Sequence, residues 1–147
     1  MEAQETIRAR GHPLILGTHQ TTFEVTAEDH VTINGNCIIG IAADKGCLGL
    51  SPAFKAVLAH DEAVLVSRLD CGGVVAEIHS RGSSQMMLNH PADIVWRRSA
   101  FVCGRTIGIL SDAVALTLPR DLIANLVLGN EMTVTLTATR PGSVSKS

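Results

Sequence analysis

The chain has 147 residues, of which 46 % are hydrophobic and 18 % are charged. This length suits a single domain with an adequate core, and this composition excludes an intrinsically disordered protein. The formal net charge of -2 excludes the global basic field with which many proteins bind nucleic acid through counterion release, although a local basic patch is still compatible with it.

Apolar runs and cysteine spacing indicate the compartment. No apolar run reaches the length of a membrane span, and the first residues, MEAQETIRAR, are too polar for a secretory signal. The cysteines form neither CxxC pairs nor the dense spacing of a small secreted scaffold; they are Cys37, Cys47, Cys71 and Cys103. We therefore expect a cytoplasmic protein with reduced thiols and no membrane association.

The beginning of the chain alternates β-rich segments with turn signals. Residues 6–10 are predicted to form an opening strand, and residues 18–26 (THQTTFEVT) a second one because they are rich in β-branched residues. Asn34-Gly35 is a strong two-residue turn signal before the apolar segment 37–43. We therefore predict a hairpin between the second and third strands.

A short helix and a strand follow. Ser51-Pro52 supplies the N-cap and the first-turn proline of a helix whose apolar face includes Phe54 and Leu58, and a strand is predicted over residues 63–69. The rest of the chain repeats this order of elements. Its predicted segments are the Cys71-Gly72-Gly73 turn, strands over residues 74–80 and 92–100, a helix opened by Pro119 and closed by Gly129 in the left-handed conformation, and a strand over residues 132–138.

The sequence matches itself. Residues 39–66 match residues 107–134 without a gap, and upstream each Arg-Gly pair is followed at the same spacing by a histidine. The matched residues include Ile39/Ile107, Gly40/Gly108, Ile41/Ile109, Asp44/Asp112, Leu48/Leu116, Leu50/Leu118, Arg10/Arg81, Gly11/Gly82 and His19/His90. We interpret the chain as two copies of a β-β-β-α-β unit.

Two such units pack most economically by covering each other's apolar faces. The fold class is therefore predicted as mainly β, an internally duplicated β-sandwich or barrel with one short helix per repeat. We expect one domain over residues 1–138, with repeat one at about 5–70 and repeat two at about 73–138. Residues 139–147 lack apolar periodicity and are predicted to form a flexible tail.

Several stretches carry a resemblance to a known family. They are RGHPLILGTHQTT (10–22), NCIIGIAADKG (36–46) and HPADIVWRRSAFVCGRTIGI (90–109), together with the two helix openings. In these stretches the chain resembles an archaeal family called domain of unknown function 371. The resemblance implies a mainly β, jelly-roll-like sandwich and an archaeal source, and it implies no activity. The chain departs from the family pattern at Asn36, where an acid is usual, and at Ala113, where lysine is usual.

The matched histidines suggest a metal site. If a pseudo-twofold axis relates the copies, His19 and His90 can approach each other and, with Asp44 or Asp112, bind a divalent metal. Alternatively, each histidine forms a hydrogen bond with a buried backbone group. The same structural role in both copies would also place a histidine at both positions. The two aspartates follow the Ile-Gly-Ile strands, where an Asx-turn with the next loop is the structural alternative.

Residues without a counterpart in the other copy are the further candidates for ligand binding. Lys45 beside Asp44 can bind a small anion or act as an acid/base pair, and Asn36 precedes the apolar strand. Asp93, Trp96 and Arg105 lie in the segment richest in functional residue types.

That segment has a structural alternative as well. A tryptophan flanked by arginines can stack on a base, but it is more often a core aromatic. Period-2 alternation along residues 92–100 places Arg97 and Arg98 on opposite faces, so they cannot form one patch.

No motif with a known catalytic mechanism occurs in the sequence, so whether the protein is an enzyme stays open. Three functions remain. The first is a domain that binds a small molecule, or a metal as cofactor, in the cleft between the repeats. The second is a protein-interaction module that pairs through exposed strands, with a partner or with a second copy of itself. The third is an accessory protein of RNA or the ribosome, which the net charge disfavours.

Overall fold

A computed structural model describes residues 1–31 and 35–142. Within those residues the chain forms eight strands and two α-helices, and a 3₁₀ turn precedes each helix. The elements are β1 Glu2–Arg10, β2 Thr22–Thr26, β3 Ile38–Gly40, α1 Pro52–Leu58, β4 Val64–Cys71, β5 Val74–Arg81, β6 Asp93–Arg97, β7 Thr106–Gly108, α2 Arg120–Val127 and β8 Glu131–Thr139. The fold is mainly β, as the sequence predicts.

The strands form two sheets. The first sheet has the order β1-β8-β4-β5 with antiparallel pairs throughout, and the second has the order β3-β2-β6-β7. In the second sheet the central pair β2·β6 is antiparallel and the two outer pairs are parallel. Each sheet therefore contains strands from residues 1–71, the first half of the chain, and from residues 72–142, the second half.

The sheets do not close into a barrel, so the barrel alternative is wrong. Within the described residues, isolated bridges alone join their edges, from Arg10 to Ile41 and from Arg81 to Ile109. The reason lies one residue further on, where Ala42 and Leu110 have φ values of 52° and 51°. This left-handed backbone interrupts the regular pairing after a single bridge, because a strand requires negative φ, although the N–H groups of Asp44 and Asp112 still donate to Arg8 and His79.

The predicted hairpin between the second and third strands is also wrong. β2 and β3 pair in parallel, with a register shift between Glu24 and Val25. The chain leaves β2 at Thr26 and returns to the other end of that strand before β3 begins, and a parallel pair requires such a return. The turn signal at Asn34 lies outside the described residues, while the carbonyl of Gly35 accepts a hydrogen bond from the Ile38 N–H.

The predicted helices and the central turn are confirmed. The hydroxyl of Ser51 accepts a hydrogen bond from the Phe54 N–H at 3.2 Å and so caps α1. Gly129 follows α2 with φ of 84°, in the left-handed conformation expected for a helix end. Gly72 and Gly73, with φ of 61° and 87°, form the turn of the β4·β5 hairpin.

The core lies between these elements. Buried apolar side chains from both sheets and both helices form one cluster, in which Phe23 and Trp96 stack across the β2·β6 pair with ring centroids 4.4 Å apart. None of the helices in the described part of the chain is long and apolar enough to cross a membrane.

The two ends of the described chain meet. β8 extends to Thr139, and the backbone of Arg140 exchanges hydrogen bonds of 2.8 and 3.0 Å with Met1. Thr139 and Arg140, which the sequence placed in a tail, thus continue the pairing of β8 with β1. Residues 143–147 of the predicted tail lie outside the described residues.

Candidate functional site

A polar cluster lies on the β2·β6 pair, on the face opposite Phe23 and Trp96. Alternation along the two strands directs Glu24 and Thr26 of β2 and Asp93 of β6 to this face. Register places Thr26 opposite Asp93. Since β2 belongs to the first half of the chain and β6 to the second, the cluster forms at the junction of the two halves.

Asp93 has partners for both of its carboxylate oxygens. The hydroxyl of Thr26 donates to Oδ1 at 2.8 Å, and Nη1 of Arg105 donates to Oδ2 at 3.1 Å. The side chain of Asp93 is 12 % exposed and that of Arg105 is 43 % exposed. A carboxylate at this depth is stable because it has both a hydrogen bond and an opposite charge.

Glu24 is buried more deeply and has weaker partners. The residue is 6 % exposed, and Val95, opposite it in the register, has no polar side-chain atom. Its Oε1 lies 3.9 Å from Nη1 of Arg105 and accepts a hydrogen bond from the thiol of Cys37, whose sulfur is also 3.9 Å away. The distance to Arg105 exceeds that of a hydrogen bond, and a thiol is a weak donor.

These surroundings change the acidity of Glu24. Burial, followed by repulsion from Asp93, raises the pKa of the Glu24 carboxyl from 4.5 to about 7, and Arg105, Cys37 and Arg97 only partly oppose the increase. Near neutral pH the group is therefore present in both protonation states, which suits a residue that exchanges a proton or receives a charged ligand.

A second unusual group, the thiol of Cys103, lies beside the cluster. Nη2 of Arg97 is 3.3 Å and the hydroxyl of Thr106 is 3.6 Å from its sulfur. Burial alone raises the pKa of this thiol, but hydrogen bonds from the Arg105 N–H, Thr106 and Arg97 outweigh it and lower the pKa to about 7.

The other cysteines near the cluster behave in the opposite way. Burial, and then the charge of Glu24, raises the pKa of Cys37 to about 11, and burial raises the pKa of Cys47 to about 12. Both therefore remain protonated at neutral pH. All four cysteines are free thiols, in agreement with the sequence.

The structure does not bring His19 and His90 together. His19 lies just before Thr22 and His90 just before Asp93, at opposite ends of the antiparallel β2·β6 pair. Strand geometry separates these ends by about 14 Å. The two histidines therefore cannot share a metal ion, and the described residues contain no group of three or more His, Cys, Asp or Glu placed to hold one.

Each histidine instead holds the start of a strand. Nδ1 of His90 accepts hydrogen bonds from the N–H groups of Ala92 at 3.1 Å and Asp93 at 2.8 Å. Nδ1 of His19 does the same for Thr21 and Thr22, at 3.2 Å each. Nε2 of His90 lies 3.7 Å from Oδ2 of Asp93, so this histidine adjoins the cluster.

His19 and Asn36 line a separate open depression. Its volume is about 400 Å³, and Thr18, Gln20 and Thr21 complete the lining. The Asn36 contacts are made by its backbone carbonyl, which accepts hydrogen bonds from the N–H groups of Thr18 and His19 at 3.2 Å. The lining of this depression contains no carboxylate and no guanidinium, so it is the weaker candidate.

Asp44 and Lys45 do not form an acid/base pair. Oδ1 of Asp44 accepts from the Arg8 N–H at 3.1 Å, and Nζ of Lys45 donates to Oε1 of Glu5 at 3.0 Å. The second oxygen of Glu5 accepts from the Ser51 N–H at the start of α1. Asp44 therefore fastens the edge of β1 rather than forming an Asx-turn with its own loop, and Lys45 supports the start of α1.

Trp96 is not available to a ligand. It is 0 % exposed, and its Nε1 donates to the hydroxyl of Ser67 at 2.9 Å. The core interpretation of this residue is therefore correct, and base stacking on it is excluded. Among the predicted site residues, the structure brings together Asp93, Arg105 and His90.

Comparisons with known proteins agree with the sequence resemblance. A family model described as domain of unknown function 371 matches residues 7–139. The chain belongs to this family. An uncharacterized protein of the archaeon Methanocaldococcus jannaschii is 37 % identical over 126 residues, which is 86 % of this chain and 93 % of that protein.

Asn36 and Ala113, which the sequence resemblance singled out, lie outside the cluster. Asn36 acts through its backbone, as described above, and the carbonyl of Ala113 accepts a hydrogen bond of 2.7 Å from the Ser111 hydroxyl. Neither residue therefore contributes a side chain on which the cluster depends.

Sequence reasoning missed Glu24, Cys103 and Arg97 as parts of this cluster. A signal for Glu24 was present, because the match that pairs His19 with His90 also pairs Glu24 with Val95. A charged residue in a strand whose counterpart is apolar indicates a role beyond packing. Cys103 carried no such signal, since its acidity depends on neighbours that only the fold brings close.

Proposed function

We propose that this chain binds a small polar molecule at the junction of its two halves, on Glu24, Asp93 and Arg105. One observation carries the proposal: Glu24 is 94 % buried, and its carboxyl has only weak partners among the described residues, the Cys37 thiol and the guanidinium of the partly exposed Arg105, each 3.9 Å from Oε1. A small molecule that reaches both Glu24 and Arg105 would supply a stronger partner.

The contrast with Asp93 supports a binding role over a structural one. A structural carboxylate in a β-sheet is stabilised by full pairing, and Asp93 has such pairing. A buried carboxyl with weak partners opposes folding when it ionises, and such groups are concentrated at functional sites. Glu24 therefore has the properties of a binding residue, while Asp93 positions Arg105 beside it.

An organic ligand suits these residues better than a divalent metal. Arg105 already neutralises Asp93, and a metal at the same carboxylates would have to displace this guanidinium. The predicted metal cofactor on His19 and His90 has no support in the geometry. We therefore restrict the proposal to organic molecules.

The two other functions have less support. Pairing through the strand edges is limited because the backbones of Arg8 and Arg10 in β1 and of His79 and Arg81 in β5 already have hydrogen-bond partners. RNA binding lacks its predicted stacking residue, because Trp96 is buried. Neither observation favours these functions over the small-molecule site.

We also propose that the chain is a duplicated unit folded as one sandwich-like domain. In support, β1, β2, β3, α1 and β4 recur in the same order as β5, β6, β7, α2 and β8. The contact between Asp44 and the Arg8 backbone recurs between Asp112 and the His79 backbone. The ligand site would then lie on the line where the copies meet and would be asymmetric.

A titration followed by nuclear magnetic resonance tests the proposed site. The isotopically labelled protein is titrated with a panel of amino acids, carboxylic acids, sugar phosphates and nucleosides. We expect at least one class to produce saturable shifts of the backbone amide signals of Glu24, Asp93 and Arg105. Replacement of the partly exposed guanidinium in Arg105→Ala should weaken that binding at least tenfold.

Arg98→Ala is the matched control. Arg98 is exposed and directly follows β6, so this variant loses the same charge while Glu24 and Asp93 keep their contacts. It should bind like the wild type. The proposal is wrong if no compound produces saturable shifts at the three residues, or if both arginine variants weaken binding equally.

A further inference from the structure

We infer that the ligand is a small zwitterion of the amino-acid type, whose protonated amine pairs with Glu24 and whose acidic group binds Arg105. This inference rests on the proposed function and specifies the class of molecule that the site takes. It follows from which polar atoms of the cluster are already used and which are left over.

The two groups of the cluster that can still bind a ligand, the Glu24 carboxylate and the Arg105 guanidinium, carry opposite charges. Glu24 has only the weak Cys37 thiol donor and the Arg105 guanidinium, each 3.9 Å from Oε1, so its carboxylate can accept a stronger donor or a second cation. Arg105 uses Nη1 for Asp93, and the described residues accept no hydrogen bond from its Nε or Nη2. With 43 % of its side chain exposed, Arg105 can present these two donors to an anionic group.

The distance between these groups limits the size of the ligand. Oε1 of Glu24 lies 3.9 Å from Nη1 of Arg105, so the free Nε and Nη2 of the same guanidinium are close to Glu24 as well, and a ligand that joins the two side chains must be compact. Amine and carboxylate are separated by one or two carbon atoms in α- and β-amino acids. A molecule with only one charge would satisfy only one side of the cluster.

The surrounding charges favour an amine at Glu24 over a neutral donor. The titratable and charged groups that face Glu24 are Asp93 and Arg97 on β6, Arg105 before β7 and Cys37 before β3. Asp93 is the only acid among them, and the two arginines keep hydrogen bonds to other side chains. A ligand ammonium group would add the short-range positive charge that stabilises Glu24 in its ionised form.

Proton linkage gives this inference a distinctive signature. Since Glu24 must lose its proton before it pairs with an ammonium group, affinity for the zwitterion should rise about tenfold per pH unit below the pKa of about 7 and level off above it. An anion that binds only Arg105 would behave differently, because ionisation of Glu24 beside it would repel it as pH rises.

The experiment measures dissociation constants for glycine, β-alanine, methylammonium and acetate from pH 5 to pH 8, using the amide shifts of Glu24 and Arg105. We expect glycine or β-alanine to bind at least tenfold more tightly than methylammonium and acetate, with affinity that rises toward pH 7. In Glu24→Gln the zwitterion should bind at least tenfold more weakly at pH 7 and lose its pH dependence.

Glu62→Gln is the matched control, because it makes the same substitution at an exposed residue in the turn before β4. It should keep both the affinity and the pH dependence. The inference is overturned if acetate binds as tightly as the zwitterions, if affinity falls or stays flat toward pH 7, or if Glu24→Gln binds like the wild type. Binding at these residues by other compounds alone overturns the inference and leaves the proposed function standing, whereas no binding by any compound of the panel overturns both.

Discussion

Two buried serine hydroxyls show how single polar atoms affect this fold. The hydroxyl of Ser67 on β4 accepts the hydrogen bond of the Trp96 indole, whereas the hydroxyl of Ser80 on β5 has no partner among the described residues. Both residues are at least 98 % buried. Ala9 occupies the position in the first half that Ser80 occupies in the second, so an apolar side chain suits this environment.

Replacement of each serine by alanine should have opposite effects. Ser80→Ala removes an unpaired buried hydroxyl and should raise the free energy of unfolding by about 1 kcal/mol. Ser67→Ala leaves the Trp96 N–H without an acceptor and should lower the free energy of unfolding by about 2 kcal/mol. Urea denaturation of the three proteins measures both values. Equal losses in the two variants would show that Ser80 has a partner in solution.

At the scale of elements, two glycines allow the helices to pack closely against the ends of the strands. A Cβ atom on Gly82, just after β5, would lie 2.1 Å from the carbonyl oxygen of Leu58 at the end of α1. A Cβ atom on Gly11, just after β1, would lie 1.7 Å from the carbonyl oxygen of Leu126 in α2. Each helix therefore packs against a glycine from the other half of the chain, and the halves cannot separate without loss of both contacts.

Gly82→Ala should lower the free energy of unfolding by about 3 kcal/mol, because the clash is with backbone that cannot rotate away. Gly129→Ala is the comparison, since its Cβ would meet no atom within 4 Å and the cost comes only from its φ of 84°. That cost is about 1 kcal/mol. Thermal denaturation of both variants distinguishes them, and an equal loss of stability would exclude close packing as the cause at Gly82.

The elements themselves were largely predictable, while their partners were not. Ser51 and Gly129 mark helix ends through local chemistry, and Gly72-Gly73 marks a hairpin, so short stretches of sequence suffice. The parallel pairing of β2 with β3 depends on where the connecting loop returns, which apolar periodicity does not encode. The left-handed turn at Ala42, which follows the isolated bridge at Ile41, is not marked by a glycine, so the sequence does not reveal it.

At the scale of the whole molecule, the site depends on a strand pair that joins the two halves. Asp93 and Arg105 could be chosen from the sequence because charged residues cluster near them. Glu24 could not be joined to them, because it is distant in sequence and only the β2·β6 register brings it close. The prediction that His19 and His90 converge failed for the same reason, since antiparallel pairing places matched residues at opposite ends.

Burial of Glu24 has a consequence for the stability of the entire fold. Its pKa is about 7 in the folded protein and 4.5 when exposed, so the folded state binds the proton more tightly. The contribution of the protonated Glu24 to the free energy of unfolding is therefore complete below pH 4.5. It is lost as pH rises toward 7, and the total loss is about 3 kcal/mol. The protein thus retains, at neutral pH, a carboxyl that opposes its own folding.

The central claim is that Glu24 is a buried carboxyl that ionises near neutral pH at a cost to the stability of the fold. Its most direct test is the free energy of unfolding of the wild type and of Glu24→Gln, measured in urea across pH 4.5 to pH 8 without ligand. The account predicts that the variant, which cannot ionise, gains about 3 kcal/mol relative to the wild type over this range. A constant difference between the two proteins at all pH values would contradict it.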